Sequence, residues 1–91
     1  MTKAEKQHLD RVARLGCLLC AEFGQPGVDA EIHHIREGQG ASQRASNWLA
    51  VPLCSACHRG PMGVHGDRTL MRIAKMGELD LLAETIRRLQ A

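Results

Sequence analysis

Apolar residues recur at helical spacing near the N-terminus. Leu9, Val12, Ala13 and Leu15 fall toward one side of the stretch from Lys3 to Leu15. Thr2, with Glu5 three positions on, has the spacing of a capping box ahead of that helix, and Gly16 ends it. In GCLLCAEFGQPG, Cys17 and Cys20 fall in a tight turn, and Gly24, Pro26 and Gly27 keep the chain irregular. Ala30 to Ile35 predicts a short strand and Trp48 to Leu53 a second. The polar loop REGQGASQRAS lies between them, long for a compact domain and of a kind that is often functional. Cys54 opens a second knuckle, CSACHRG, after which Gly60 and Pro61 leave room for only a short helix. GDRTLMRIAKM predicts a further helix, with Asp67 as N-cap and Leu70, Ile73 and Ala74 inward. Gly77 breaks the pattern. Asp80 to Gln90 predicts the last helix, with Leu82, Ile86 and Leu89 as a stripe that packs on the core or meets a partner. The pattern predicts a small α+β fold in one unit spanning 1–91: an N-terminal helix (1–16), a core (17–65) and C-terminal helices (66–91).

A chain of 91 residues buries a modest share of its surface, so a metal, disulfides or a partner would help to stabilise it. No apolar run reaches membrane-spanning length, so no membrane partner is expected. No basic, then apolar, then small-residue leader opens the chain, which points to the cytoplasm and to reduced thiols. Net charge is only +2, but its distribution is uneven. Between His33 and Lys75 stand six basic residues (Arg36, Arg44, Arg59, Arg68, Arg72, Lys75) against two acidic ones (Glu37, Asp67). The first 32 residues hold four basic and five acidic. Positive charge therefore gathers around the histidines, as a phosphate-binding surface requires and as a solvated mixed surface also allows.

The four cysteines form two pairs, C-L-L-C at 17 and 20 and C-S-A-C at 54 and 57. A two-residue gap lets both sulfurs of a pair face one ion, and two pairs complete a tetrahedral shell. Cys17, Cys20, Cys54 and Cys57 are thus expected to hold a structural Zn²⁺. Four thiolates leave no open position for water, so the ion would be a staple whose binding energy is folding energy. The alternatives are two disulfides, which suit a secreted chain, and a redox dithiol, which needs only one pair.

Of the five histidines, His8 lies in the first helix and is expected to be ordinary. His33, His34, His58 and His65 surround the hairpin and second knuckle. Adjacent strand residues point to opposite faces, so His33 and His34 must differ in role. One can face a metal while the other faces a bound water. His58 follows Cys57 directly, so the staple fixes its backbone, and His65 offers a third imidazole. Such a site suits phosphodiester hydrolysis. A divalent ion neutralises charge on phosphate and on the departing oxygen, and a histidine deprotonates water for in-line attack. Arg36, Arg44 and Arg59 are the arginines best placed in sequence to hold flanking phosphates, with plain surface charge as the alternative.

EIHHI, followed by LCSACH with an upstream C-L-L-C, resembles the zinc-containing branch of the HNH nucleases, whose shared core is the beta-beta-alpha metal fold. HHIREGQGASQRAS with CHRGPMGVHG is more narrowly similar to the phage and prophage Ref-like group. The core match covers roughly Cys17 to His65. The resemblance implies that His33 and His58 bind a catalytic divalent ion, with His65 a further ligand, and that His34 is the general base. It implies Mg²⁺ or Mn²⁺, with Zn²⁺ or Ni²⁺ in some members, and products with 5′-phosphate and 3′-hydroxyl ends. It also implies a bacterial or phage-infected host cell. Asn47 stands seven residues before Cys54, whereas the family's middle Asn commonly stands five before, a position held here by Leu49. Asn47 is expected to cap a turn or to orient His34 through its backbone.

The leading expectation is a metal-dependent DNA endonuclease or nickase of low sequence specificity, acting alone, as a homodimer or with a DNA-bound helper protein. The competing one is a non-catalytic zinc-stapled module that binds nucleic acid or protein. Such a module has no need of His34 beside His33.

Overall fold

The computed structural model describes residues 1–91 as a two-stranded sheet wrapped by five short helices. The order is α1 (Lys3–Arg14), α2 (Leu18–Glu22), β1 (Glu31–His34), β2 (Ala50–Leu53), α3 (Ser55–Arg59), α4 (Thr69–Ala74) and α5 (Glu78–Leu89). No helix is long and apolar enough to cross a membrane.

Helix α1 starts as its sequence predicts. The Thr2 hydroxyl accepts from Glu5 N–H, and the Glu5 carboxylate reaches back to Thr2 N–H, closing the capping box. At its other end Arg11 donates to the Leu89 carbonyl (3.0 Å), tying α1 to the last turn of α5. Gly16 takes the left-handed conformation (φ 80°) that lets the chain turn into Cys17. The predicted turn at Cys17–Cys20 is the start of a helix: Cys17 Sγ accepts from Cys20 N–H and so caps α2.

The strands are antiparallel, with Glu31 opposite Leu53, Ile32 opposite Pro52, His33 opposite Val51 and His34 opposite Ala50. They are shorter than Ala30–Ile35 and Trp48–Leu53, although Ile35 N–H still donates to the Leu49 carbonyl (3.1 Å). Counting back by twos from that bond puts Pro52 at a non-hydrogen-bonded position, where its missing N–H leaves no gap in the ladder. Strand β2 is buried along its length, with α1, α2, α3 and α5 packed on it. The core joins Leu18, Leu19, Ile35, Val51, Leu53, Val64, Met71 and Leu81 to the two buried cysteines.

The C-terminal helices differ from expectation in rotation. Helix α4 buries Met71, and Ile73 is 62% exposed rather than inward. Arg68, left-handed at φ 63°, is its N-cap, and Asp67 accepts from Thr69 N–H one residue further out. Helix α5 begins at Glu78, and its buried face is Glu78, Leu81 and Thr85. The expected stripe is displaced: Leu82 and Leu89 are half-buried and Ile86 is 46% exposed. The cause is Glu78. Its carboxylate is committed to partners in β1 and the following loop, so the helix turns that residue inward and carries Ile86 out.

Candidate functional site

The cysteine cluster comes from two helix N-termini of the same design. Cys54 Sγ accepts from Cys57 N–H and caps α3, as Cys17 does for α2. All four sulfurs lie within 4.8 Å of one another, and no disulfide is formed. Cys20 Sγ is 3.7 Å from Cys54 Sγ and 3.9 Å from Cys57 Sγ. A tetrahedral shell with metal–sulfur bonds of ~2.3 Å sets sulfurs ~3.8 Å apart, so the cluster fits a structural metal such as zinc. Without a cation, burial pushes the Cys20 thiol up to about 12 and the Cys57 thiol up as well. At Cys54 burial also pulls upward but is outweighed by the Cys57 N–H and the neighbouring thiols, and its value falls below the ordinary one. A bound cation converts such a group to thiolates and releases the protons.

Three imidazoles form a second cluster. The ligand atoms of His33, His58 and His65 all lie within 4.8 Å of one another. Their ring centroids stand 4.8–5.0 Å apart. His33 is supplied by the inner face of β1 and is 1% exposed. His58 comes from α3, one residue after Cys57. His65 is brought in because the segment after Gly60 folds back along α3, with Val64 N–H on the Cys57 carbonyl (2.8 Å) and His65 N–H on the His58 carbonyl (3.0 Å). Gly63 makes that approach possible, since a Cβ there would stand 2.5 Å from the Cys57 oxygen.

Two of the three rings are held by carboxylates. His33 Nε2 donates to Glu78 Oε2 (2.6 Å), and His58 Nδ1 donates to Glu31 Oε2 (2.6 Å). That leaves His33 Nδ1 and His58 Nε2 with lone pairs, the arrangement in which a carboxylate behind the ring orients a metal-binding imidazole. His58 Nε2 is 3.1 Å from His65 Nε2, within the roughly 3.0–3.4 Å that two nitrogens ~2.1 Å from one ion would show. Burial holds His33 below the ordinary imidazole value, only partly opposed by Glu78. Burial and the neighbouring His58 do the same to His65. At Glu78 burial is outweighed by the bond from His33 and the Arg36 N–H, so its carboxyl sits below the usual range. A neutral ring facing an ionised carboxylate satisfies both, and neutral rings are what a cation needs.

Glu78 and Glu31 were not foreseen from the sequence. Glu31 was legible: it lies two residues before His33, on the same face of β1. Glu78 was not, because 45 positions separate it from its ring and nothing local marks it.

His34 lies outside the three-imidazole cluster. It points to the opposite face of β1, where its Nε2 bonds Asn47 Oδ1 (2.8 Å), and Asn47 Nδ2 donates to Glu5 Oε2 (2.7 Å). Asn47, expected to cap a turn or to orient His34 through its backbone, meets His34 through its side chain. The three expected arginines are partly engaged. Arg36 donates to the carbonyls of Gly40 (3.1 Å) and Gln43, folding the loop on itself. Arg59 forks onto Glu31 (2.8 and 3.0 Å). Arg44 is exposed and reaches Asn47 Oδ1 at 3.5 Å. An open cleft of about 340 Å³, lined by Arg68, Met71, Arg72, Lys75, Met76 and Gly77, carries three further cations. Arg68 also stands 3.7 Å from Glu78. His8 packs on Trp48 with ring centroids 4.8 Å apart.

A family model described as recombination enhancement, RecA-dependent nuclease matches residues 1–85. No curated protein and no solved structure matches the chain.

Proposed function

The chain belongs to the RecA-dependent nuclease family, and we propose that it is a metal-dependent DNA endonuclease or nickase built on a beta-beta-alpha metal core of the HNH kind. The hairpin β1–β2 followed directly by α3 supports that core. The observation that carries the reading is the cluster of His33, His58 and His65 with carboxylates behind two of its rings. A fully packed staple of four cysteines has no use for a second donor set beside it, whereas hydrolysis does.

In this reading Cys17, Cys20, Cys54 and Cys57 hold zinc and fix α3. His33, His58 and His65 would hold the catalytic divalent ion, which would supply charge neutralisation to the phosphate and its leaving group. Strand β1 has no second strand on its outer side, and in this reading the phosphodiester approaches along that edge. His34 takes the proton from the attacking water, and Asn47 holds its ring. Arg44 and the cleft of Arg68, Arg72 and Lys75 line a path for flanking phosphates, while Arg36 and Arg59 serve the loop and Glu31 first. The family description makes RecA the expected helper.

The test is cleavage of supercoiled plasmid by zinc-loaded wild type and His34→Ala, with magnesium, manganese, nickel or EDTA, each with and without RecA. Metal-dependent nicking that disappears in the variant is expected. Absence of cutting by wild type in every condition, with zinc bound and DNA retained, would make the chain a binding module instead.

A further inference from the structure

The side-chain amide of Asn47 sits between an imidazole and a carboxylate, and the carboxylate decides which way it faces. Glu5 Oε2 can only accept, so the group turned toward it at 2.7 Å is the Asn47 NH₂. The amide oxygen is then the atom 2.8 Å from His34 Nε2. An oxygen there accepts, so Nε2 must carry the hydrogen and Nδ1 must hold the lone pair. The guanidinium of Arg44, a donor, approaches the same Asn47 atom at 3.5 Å, which independently calls for oxygen.

Glu5 divides its oxygens between two tasks. Oε1 takes the Thr2 hydroxyl (3.0 Å) and lies 3.4 Å from Thr2 N–H, and Oε2 takes Asn47. Bonds from Asn47 and then from Thr2 hold its carboxyl below the usual range, so it stays an acceptor. Asn47 itself lies at the end of the long polar loop, outside any helix or strand. Without an acceptor-only partner, its amide can turn over and offer His34 its NH₂, which suits the opposite tautomer equally well.

We propose that Glu5, on the first turn of α1, is a positioning residue of the hydrolytic site: acting through Asn47, it holds His34 as the Nε2–H tautomer and presents Nδ1 as the proton acceptor. The inference rests on the reading of His34 as the base. It assigns to α1 a task beyond packing.

Glu5→Gln separates this task from helix capping. Gln serves in a capping box as Glu does, but its amide also offers a donor to Asn47. The control is Thr2→Ala, which breaks the cap and leaves the Asn47 bond alone. The first readout is long-range ¹H–¹⁵N NMR of the imidazoles in the zinc-loaded protein at one fixed alkaline pH, with His34 assigned from His34→Ala. Wild type and Thr2→Ala are expected to show the Nε2–H pattern, and Glu5→Gln a mixture containing Nδ1–H. The second readout is the cleavage rate. Glu5→Gln is expected to slow in proportion to the Nε2–H fraction lost, about twofold for an even mixture, with DNA affinity unchanged. Thr2→Ala is expected to lower the melting temperature and keep the rate. An unchanged His34 tautomer in Glu5→Gln overturns the inference. A changed tautomer with an undiminished rate also overturns it, and by a distinguishable route, since it removes His34 from the role of base.

Discussion

Glu78→Gln is the substitution on which the buried end of the imidazole cluster turns. The carboxylate is 3% exposed and accepts three hydrogen bonds. His33 Nε2 (2.6 Å) and Arg36 N–H (2.8 Å) share Oε2, and Glu37 N–H (3.1 Å) uses Oε1. A glutamine with its oxygen in the Oε2 place keeps two of these as neutral bonds. Its NH₂ then opposes the Glu37 N–H, donor to donor. Changing a charged acceptor for a neutral one costs about 1 kcal/mol per bond, and a broken bond with an unpaired donor about 1–3 kcal/mol. The sum is about 3–5 kcal/mol, the range seen when one partner of a buried ion pair is removed. At ~4–8 °C per kcal/mol for a domain of this size, the melting temperature should fall by roughly 12–40 °C. Circular dichroism of the zinc-loaded protein measures the fall, and calorimetric titration of manganese should show second-site affinity weaker by ~10–100-fold. A melting temperature within a few degrees of wild type would refute the reasoning, because a buried ionised carboxylate that accepts three hydrogen bonds cannot be neutralised so cheaply.

Chelation of the cysteine-bound metal, or Cys57→Ser, should unfold the chain outright. Structural zinc contributes ~10–16 kcal/mol, more than a small domain's whole stability, and far-UV circular dichroism follows the loss. Leu81→Ala should cost ~2–5 kcal/mol in urea unfolding and Ile86→Ala no more than ~0.5, since only the first is buried. Burial holds His33 and His65 below the ordinary imidazole value of 6.5. Both rings therefore stay neutral as pH falls past that value, and calorimetric titration of manganese should show half-loss of the second ion below pH 6.5, not above it. Reversing Arg72 and Lys75 to Glu should weaken DNA binding and flatten the salt dependence by about two units of log–log slope, about 0.9 for each phosphate no longer neutralised. Fluorescence anisotropy across a salt series reads it.

What was legible in the sequence was whatever one short segment decides. The Thr2–Glu5 cap, the two knuckles and the paired strands are local patterns, and they appear where the spacing puts them. The pointing of His33 and His34 to opposite faces follows from strand geometry alone. The rotation of α5 was not legible, because hydrophobicity made Leu82, Ile86 and Leu89 the natural inner stripe. What turned the helix was a charged residue one turn earlier, paired across 45 positions. Burial of Glu78 looks unfavourable until its three donors are known, and no periodicity reveals them. The same holds for Glu5, which a local reading spends entirely on its capping box.

The two donor clusters are coupled by the shortness of the element between them. Helix α3 has five residues, too few to hold a direction by its own hydrogen bonds. Its N-terminus is fixed by the Cys54 cap, its middle by Cys57, and its next residue is His58. The segment that carries His65 is in turn bonded to the carbonyls of Cys57 and His58. Two of the three imidazoles thus inherit their positions from the cysteine cluster, and only His33 stands on the sheet. A metal in the cysteine site is therefore a condition for the second site as well as for the fold. Partial occupancy of the first should lower binding at the second in proportion, with no change in affinity among the molecules that remain folded.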